Sequence, residues 1–332
     1  MTPPQGQSLF SRASEFQVRI PPPNLAPWLP GNIGVPGFTQ LKSQRDGPHL
    51  ALLALMHGNE IAGAIVLDRL LRHFGDTSRP LRGTLTLGFM NIAAFVRFNP
   101  NEPTLSRFVD EDLNRVWDEA TLAGPRESVE LARARQVRPM LQDFDLLVDL
   151  HSMLWPSEPL VLSGPTDCGL ALARELATPA LIVADHGHSG GRRLIDHARF
   201  TDPSARAAAV LVEAGQHWQP DTVALTEFCV HSLLHTHGMI AQAPEPRPTP
   251  AARRFARVTH VVTAATSQFA FVEPFRGSDV IPRRNTLIAV DGTAEIRTPY
   301  DDCMLIMPSL RPSRGHTAVR LARVESKVEE PR

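Results

Sequence analysis

Residues 50–60 read LALLALMHGNE, an apolar run that is followed at once by a histidine and a glutamate three positions apart. A short apolar run of this kind is typical of a strand buried on both faces, as in the parallel sheet of an α/β protein. Ligands of such sheets collect at the carboxyl ends of the strands. His57 and Glu60 therefore stand where two ligands of a metal site are expected, and a third ligand has to come from elsewhere in the chain.

The composition is that of an ordinary globular protein and excludes some classes of partner. Of the 332 residues, 42% are hydrophobic and 21% are charged, which suffices for one large domain or for a large and a small one. The net charge of −1 creates no general basic field. We therefore expect neither nucleic acid nor a membrane as a partner.

The cysteines and the N-terminus indicate a compartment. Cys168, Cys229 and Cys303 lie far apart without a C-x-x-C pair, which predicts neither a disulfide framework nor a thiolate zinc site. The first residues lack the charged and apolar regions of a secretory signal, and no apolar stretch is long enough to span a bilayer. The sequence thus predicts a cytoplasmic protein, and it leaves open whether identical chains form a homo-oligomer.

Short apolar runs alternate with helical patterns through the first two thirds of the chain. The runs expected to form buried strands are residues 50–56, 83–90, 145–150, 180–184 and 208–212. Apolar residues recur at helical spacing in residues 62–74, 127–142 and 222–238. This alternation predicts an α/β fold, with a mixed central sheet and helices on both faces.

A proline-rich segment marks the predicted domain boundary. Residues 244–250 read PEPRPTP, which is typical of a stiff extended linker. Residues 1–243 would form the catalytic domain, and residues 251–332, with short strands separated by turns, would form a small β-rich C-terminal domain.

Four polar side chains follow three of the predicted strands. His57 and Glu60 follow the first, His151 follows the third, and Glu213 follows the fifth. Two histidines and a carboxylate are the ligand set of a hydrolytic zinc site, and a further glutamate can act as general base there. Each residue alone is weak evidence, because a lone histidine after a strand usually has a structural role. Their common position at strand ends favours a metal site.

The segment 106–117, SRFVDEDLNRVW, provides candidate groups for binding an anion. Arginine recognises carboxylates through two parallel hydrogen bonds, and asparagine adds a donor. Arg107, Asn114 and Arg115 are therefore candidate substrate-binding residues, although a solvated charged loop is the usual fate of such a segment.

Four motifs in this order, HGNE, RFVDEDLNRVW, VDLHS and VLVEAG, resemble the succinylglutamate desuccinylase/aspartoacylase family of the zinc carboxypeptidase superfamily. The resemblance implies that His57, Glu60 and His151 bind one zinc ion, and His and carboxylate ligands would also admit another divalent metal. It implies that Glu213 activates the zinc-bound water and passes its proton to the leaving amine, and that Arg107 polarises the scissile carbonyl.

The same resemblance implies that Asn114 and Arg115 grip the carboxylate of the substrate's amino-acid part. The chain departs from the family in other places. The family's active-site tyrosine has no counterpart, since Tyr300 stands in the C-terminal part, and the family's Asn-Pro after the second strand is Asn91-Ile92 here. Asp149 would either orient a ligand or simply end its strand.

Residues 185–202 have no match to the family that defines their role. Arg192, Arg193 and Arg199 would either meet a second carboxylate, on the acyl group, or belong to a mobile surface loop. His231 and His235 have the spacing of a helical metal pair, but the glutamate of H-E-x-x-H is absent, which favours an ordinary helix face.

The sequence therefore predicts a zinc-dependent deacylase that hydrolyses the amide bond of a small N-acyl amino acid, of the N-succinyl or N-acetyl type, to a carboxylate and a free amine. Three alternatives stay open. The first is a metallocarboxypeptidase acting on peptides, and the second is a deacylase of an unrelated N-acyl amine. The third is a non-catalytic binding protein that retains the fold.

Overall fold

A large mixed sheet forms the centre of the molecule. The computed structural model describes residues 16–75, 78–188, 190–202, 204, 206–245 and 252–325. Its strands are β1 Phe38–Lys42, β2 His49–Ala54, β3 Thr84–Phe89, β4 Leu146–Met153, β5 Leu160–Leu162, β6 Leu181–Ala184, β7 Ala208–Gln216, β8 Arg254–Thr263, β9 Phe269–Phe271, β10 Val280–Ile281, β11 Leu287–Asp291, β12 Ala294–Arg297, β13 Cys303–Ile306 and β14 Thr317–Glu325. Within the described residues, eleven of them form one sheet in the order β1-β3-β2-β4-β7-β5-β6-β8-β14-β13-β10, and the other three form a sheet in the order β12-β11-β9.

Helices cover both faces of the central sheet. They are α1 Ile61–Phe74, α2 Ile92–Phe95, α3 Glu119–Ala123, α4 Val129–Val137, α5 Asp167–Glu175, α6 Ala198–Thr201 and α7 Pro220–Thr236. Apolar residues of α1, α5 and α7 pack with one face of the strands, and those of α4 pack with the other face. No helix in the described part of the chain is long and apolar enough to cross a membrane. The α/β class and the mixed sheet with helices on both faces are as predicted.

The middle of the sheet is parallel, which brings the strand ends together. Strands β3, β2, β4 and β7 run parallel in adjacent positions. All five predicted strands and all three predicted helices are present, although the second helix pattern, 127–142, is divided into α4 and a 3-10 turn at Arg138–Asp143. Strand β1, antiparallel to β3, and strand β5, antiparallel to β7 and parallel to β6, were not predicted. Both are short and lack a distinctive apolar run.

The C-terminal part is β-rich, as predicted, and most of its strands extend the central sheet. Strand β8 pairs in parallel with β6, and β14 pairs with β8 in the antiparallel direction. Strands β6 and β8 run opposite to β7, and the first residues of β14 pair with the carboxyl end of β8. Most of the predicted linker, residues 246–250, lies outside the described residues, and the division of the chain at this point stays a prediction.

Candidate metal centre and active site

Three side chains from two neighbouring strands converge at the carboxyl edge of the sheet. His57 and Glu60 follow β2, and His151 lies near the end of β4. Their possible ligand atoms all lie within 4.8 Å of one another, and all three residues are buried. Nδ1 of His57 is 2.7 Å from one carboxylate oxygen of Glu60, and Nδ1 of His151 is 3.0 Å from the other. Both imidazoles thus direct the same ring nitrogen at the shared carboxylate.

The outer nitrogens of the two imidazoles face carboxylates. Nε2 of His57 is 2.9 Å from Oδ1 of Asp112, and Nε2 of His151 is 2.9 Å from Oδ2 of Asp149. Histidines that bind metals commonly place their second ring nitrogen against a carboxylate, which fixes the tautomer and raises the basicity of the ligating nitrogen. His57 and His151, each facing a carboxylate, thus have the arrangement that is common for histidines that bind a metal.

The charges of this cluster also suit a cation. Burial alone would raise the pKa of Glu60, but the His57 and His151 rings hold it well below its usual range. Burial likewise opposes ionisation of Asp112, yet His57 and Arg107 keep the pKa of that carboxyl well below its usual value. The ligand carboxylate and its supporting carboxylate are therefore both ionised at neutral pH. Two imidazoles and a carboxylate with these supports fit zinc or another divalent ion.

Glu213 lies directly beside the ligand set. It is the register partner of His151 across β4 and β7, and it is buried. Within the described part of the chain, its Oε2 is buried and has no hydrogen-bond partner. Burial, followed by repulsion from Glu60, raises the pKa of Glu213. A bound dication would act in the opposite direction, because positive charge favours the ionised carboxyl.

Arg107 is folded against the same cluster. Its Nη1 is 3.3 Å from Oε1 of Glu60, and its Nη2 is 3.3 Å from Oδ2 of Asp112. The side chain is nevertheless 38% exposed, so the guanidinium faces the open side of the site as well. A cation in this position can reach an oxygen that is bound next to the metal ligands.

Asn114 and Arg115 end the same loop, and they differ in how their side chains are engaged. Asn114 is buried, and its Oδ1 accepts a hydrogen bond of 2.9 Å from the backbone N–H of Leu194. Only the amide nitrogen of that side chain therefore stays available to a ligand. Arg115 donates to the backbone carbonyl of Asn114 at 2.6 Å, and its Nη2 is 3.9 Å from Oδ2 of Asp112.

These groups line one cavity of about 460 Å³. A cavity of this size is in the range that holds a small molecule. Besides the residues named above, Phe108, Trp155 and His217 contribute to its wall, and so do residues 307–309 and 311–313 between β13 and β14. The C-terminal strands thus complete the wall of the site that the catalytic strands begin.

Comparison with protein families identifies the chain. A family model described as the succinylglutamate desuccinylase/aspartoacylase catalytic domain matches residues 46–235, which is more than half of the chain. The chain belongs to the succinylglutamate desuccinylase/aspartoacylase family. It is therefore a member of a family of N-acyl amino acid deacylases, as the sequence motifs predicted. No curated protein sequence matches the chain.

Solved structures share the fold of this family member at low sequence identity. The succinylglutamate desuccinylase of Vibrio parahaemolyticus is 16% identical with a TM-score of 0.65, over 89% of this chain and 88% of that one. The succinylglutamate desuccinylase of Vibrio cholerae is also 16% identical, with a TM-score of 0.66, over 88% and 86%. The product-bound ectoine utilization protein EutE (DoeB) of Ruegeria pomeroyi is 18% identical, with a TM-score of 0.59, over 86% and 88%.

The arginines of residues 185–202 donate hydrogen bonds to groups of the protein itself. Arg193 is buried and donates to both carboxylate oxygens of Asp185 and to Asp196. Arg192 donates to the backbone carbonyl of Asp196, and Arg199 donates to that of Phe144. Arg193 thus has an internal counter-charge of its own.

Several side chains at the site were not predicted from the sequence. His217 is buried, and its Nδ1 is 2.6 Å from Oγ of Ser152, while its Nε2 is 4.0 Å from Oε1 of Glu60. Burial lowers the pKa of His217 to about 4, so this ring is neutral. The only sequence signal for it was its place four residues after Glu213. His188 also lines the cavity.

Tyr300 and the helical histidines lie away from this family's active-site residues. The Tyr300 hydroxyl is 2.6 Å from Oγ1 of Thr259, within the apolar core of the C-terminal part. Neither Tyr300 nor His231 nor His235 lines the cavity. Among the described residues, His57, Glu60 and His151 are the one cluster with metal-ligand geometry.

Glu130 anchors the loop that holds the arginines. It lies in the first turn of α4 and is fully buried. Its carboxylate accepts hydrogen bonds from the backbone N–H groups of residues 109, 110 and 111 at 2.7–3.2 Å, and from Nδ2 of Asn91 at 2.9 Å. A carboxylate with several backbone donors is strongly stabilised. This contact fixes the loop between Arg107 and Asp112.

We expect Glu130→Gln to lower activity without removing the metal. Glutamine offers one acceptor oxygen instead of two, and its amide group would face backbone N–H donors. Leaving buried donors unsatisfied costs about 1–3 kcal/mol, so we expect kcat/KM to fall about 10- to 100-fold through misplacement of the loop. Bound metal is measured by elemental analysis, and exposed Glu127→Gln is the control. Unchanged kcat/KM in Glu130→Gln would contradict the anchoring role.

Proposed function

We propose that this family member is a metal-dependent deacylase that hydrolyses a small N-acyl amino acid, of the N-succinyl or N-acetyl type, to a carboxylate and a free amine. One observation carries the proposal: Glu213 is paired in register with His151, beside the buried cluster of His57, Glu60 and His151. Ligand set and general base are the two parts that metal-assisted amide hydrolysis needs. The family membership supports the same chemistry.

The residues that would hold the metal are His57, Glu60 and His151, with zinc as the expected ion and another divalent metal possible. The bound ion would supply Lewis acidity and lower the pKa of a water molecule. Asp112 and Asp149 would keep the two imidazoles in the tautomer that leaves Nδ1 free to bind.

Glu213 would act as the general base and then as the general acid. As base, its carboxylate takes a proton from the attacking water while the oxygen bonds to the amide carbon. As acid, it returns that proton to the amide nitrogen while the C–N bond breaks, which releases a carboxylate and an amine. Its buried Oε2 without a hydrogen-bond partner among the described residues is consistent with a group that receives a proton from a bound molecule.

Arg107 would stabilise the negative charge that develops on the carbonyl oxygen. Its guanidinium lies within 3.3 Å of Glu60 and is partly exposed toward the cavity. A fixed positive group aimed at the developing oxyanion is worth far more in a partly buried site than in water.

Asn114 and Arg115 would bind the carboxylate of the amino-acid part. Among the described residues, the ion pair of Arg115 is the 3.9 Å contact with Asp112, and Arg115 borders the cavity. The amide nitrogen of Asn114 adds a donor on the same side. This assignment follows the family motif and the position of both residues in the cavity wall.

The main alternative is a metallocarboxypeptidase acting on peptides. The cavity is walled by residues 307–313 of the C-terminal part, which limits its volume to about 460 Å³. A cavity of this size favours a small substrate over a peptide chain. Solved relatives of similar fold include succinylglutamate desuccinylases and an ectoine utilization protein, so both the acyl group and the amine are left to experiment. We keep the prediction that the enzyme works in the cytoplasm.

The proposal is tested by measuring amine release from N-acetyl, N-succinyl and longer N-acyl amino acids and from dipeptides, each with and without a chelator. Chelator-sensitive turnover of an N-acyl amino acid would support the deacylase. Turnover of dipeptides alone would move the protein to the carboxypeptidases. No turnover of any compound by metal-loaded protein would contradict the proposal and favour a binding protein.

A further inference from the structure

An arginine of the C-terminal strands also lines the cavity. Arg320 is the fourth residue of β14 and is only 3% exposed. Its register partner on β8 is Val261, near the carboxyl end of that strand. Arg320 lines the same cavity as Glu213 and Arg115.

The hydrogen bonds of Arg320 differ from those of the other buried arginine nearby. Arg193 donates to both oxygens of Asp185 at 2.7 and 2.9 Å and to Asp196 at 2.8 Å, so its charge is fully matched. Arg320 has only a 3.5 Å contact between its Nε and Oδ2 of the same Asp185. Within the described residues, that Nε has no hydrogen-bond partner.

The side chain that contacts Nη2 of Arg320 provides no negative charge. Nη2 of Arg320 contacts Nε2 of His188, and Nδ1 of that ring is 2.9 Å from Oγ1 of Thr317. Burial, followed by repulsion from Arg320 and Arg115, holds the pKa of His188 far below its usual value. The ring is therefore neutral and fixes the guanidinium without neutralising it. Burial also lowers the pKa of Arg320, to about 10.

Within the described residues, the one ion pair of Arg320 is the 3.5 Å contact with an oxygen of Asp185 that Arg193 also binds, so its charge is only partly matched. Burying a guanidinium is unfavourable unless an anion meets it, and an arginine prefers a carboxylate that it can hold with two hydrogen bonds. Both arginines line the cavity, but Arg193 satisfies this preference internally, whereas Arg320 has only the longer contact with Asp185. The contrast points to a ligand carboxylate at Arg320.

We propose that Arg320 is a specificity-determining residue that binds a substrate carboxylate distinct from the one assigned to Asn114 and Arg115. The inference rests on the proposed deacylase function and adds a binding group from outside the segment that matches the family model, residues 46–235. The second carboxylate stands either on the acyl group or on the side chain of the amino acid. In both cases it is the group that selects the substrate.

Two matched substrate pairs test the proposal and separate the two positions. N-acetyl-L-aspartate and N-acetyl-L-asparagine differ in the side-chain carboxylate, and N-succinyl-L-alanine and N-butyryl-L-alanine differ in the acyl carboxylate. We expect wild-type protein to prefer the carboxylated member of one pair. Arg320→Gln should lower kcat/KM for that member about 10- to 100-fold, mostly through KM, because a charge-assisted pair is lost.

The neutral member of that pair should change less than about 3-fold in Arg320→Gln, since it never used the lost pair. Arg320→Lys keeps the charge and should recover part of the loss, and Arg257→Gln, whose arginine is exposed and paired with Glu325, is the matched control. An equal loss for both members of each pair, or no loss for any, would overturn the assignment. Circular dichroism and bound metal show whether the variants fold.

Binding of succinate and butyrate, measured by calorimetry, separates this inference from the proposed function. Succinate should bind to Arg320→Gln at least about 10-fold more weakly than to wild type, while butyrate should bind equally to both. That result without turnover of any substrate would sustain the binding site and reject the deacylase. If Arg320→Gln turns over substrate and binds succinate as wild type does, the binding site is rejected and the deacylase function is sustained.

Discussion

Replacing Glu213 with glutamine should reduce kcat by about 10²- to 10⁴-fold, the range that a positioned general base contributes, and leave bound metal unchanged. Glutamine has nearly the same shape but cannot take a proton from water or return one to the amine. Glu213 lies beside His151 without belonging to the ligand set, so the metal should stay. The measurements are amine release under saturating substrate and metal content by elemental analysis.

The control for this prediction is Glu102→Gln, which changes an exposed glutamate outside the cavity and should leave kcat as it is. A Glu213→Gln protein that turns over at the wild-type rate would remove Glu213 from the mechanism. A variant that loses its metal as well would instead place Glu213 among the groups that hold the ion.

Alanine in place of His57 or His151 should remove both the metal and the activity. Each substitution deletes one of three ligands and leaves the facing carboxylate, Asp112 or Asp149, without its imidazole. The binding free energy of a metal depends on the complete ligand set, so the remaining two side chains should not retain the ion at micromolar concentrations. Amine release should fall to the level of the chelated wild-type protein.

Loss of the metal has to be distinguished from loss of the fold. His235→Ala removes an exposed histidine from α7 and should keep full metal content and activity. Circular dichroism of the His57→Ala and His151→Ala proteins should match that of the chelated wild type. Full metal content in either ligand variant would contradict the assignment of that histidine.

The parts of the fold with strong local patterns were predictable from the sequence. Most of the run at residues 50–56 lies in β2. Its seven apolar residues are all buried, as is typical of a strand in the middle of a sheet. Helices α1 and α7 followed from their spacing of apolar residues. The edge strand β1 and the short β5 could not be predicted, because their place is determined by neighbours that are distant in sequence.

The candidate site was predictable to the extent that it consists of residues at strand ends. His57, Glu60, His151 and Glu213 meet because parallel strands end at one edge. The structure also shows which carboxylates face the outer nitrogens of the two histidines. They are Asp149, for which the sequence left two roles open, and Asp112, which stands within the quoted motif but was given no role. Sequence motifs indicate which types of side chain are present, whereas the carboxylate that faces a given histidine depends on how the folded chain orients the two side chains.

The residues that the C-terminal part contributes to the cavity could not be predicted from local sequence patterns. Arg320 reaches the cavity only because β8 joins the sheet beside β6 and β14 returns beside β8. The arginines of residues 185–202 seemed suited to a ligand carboxylate, but Arg193 is matched by Asp185 and Asp196. Arg193 and Arg320 both line the cavity, and long-range pairing, not sequence proximity, decides which of them is fully matched by carboxylates.

The most direct test of the metal-dependent mechanism is a titration of chelator-treated protein with zinc, in which bound metal and amine release are followed in the same samples. The arrangement of His57, Glu60 and His151 predicts that both rise together and level off at about one equivalent of zinc. Full amine release by the metal-free protein, or activity that does not follow the bound metal, would contradict the mechanism.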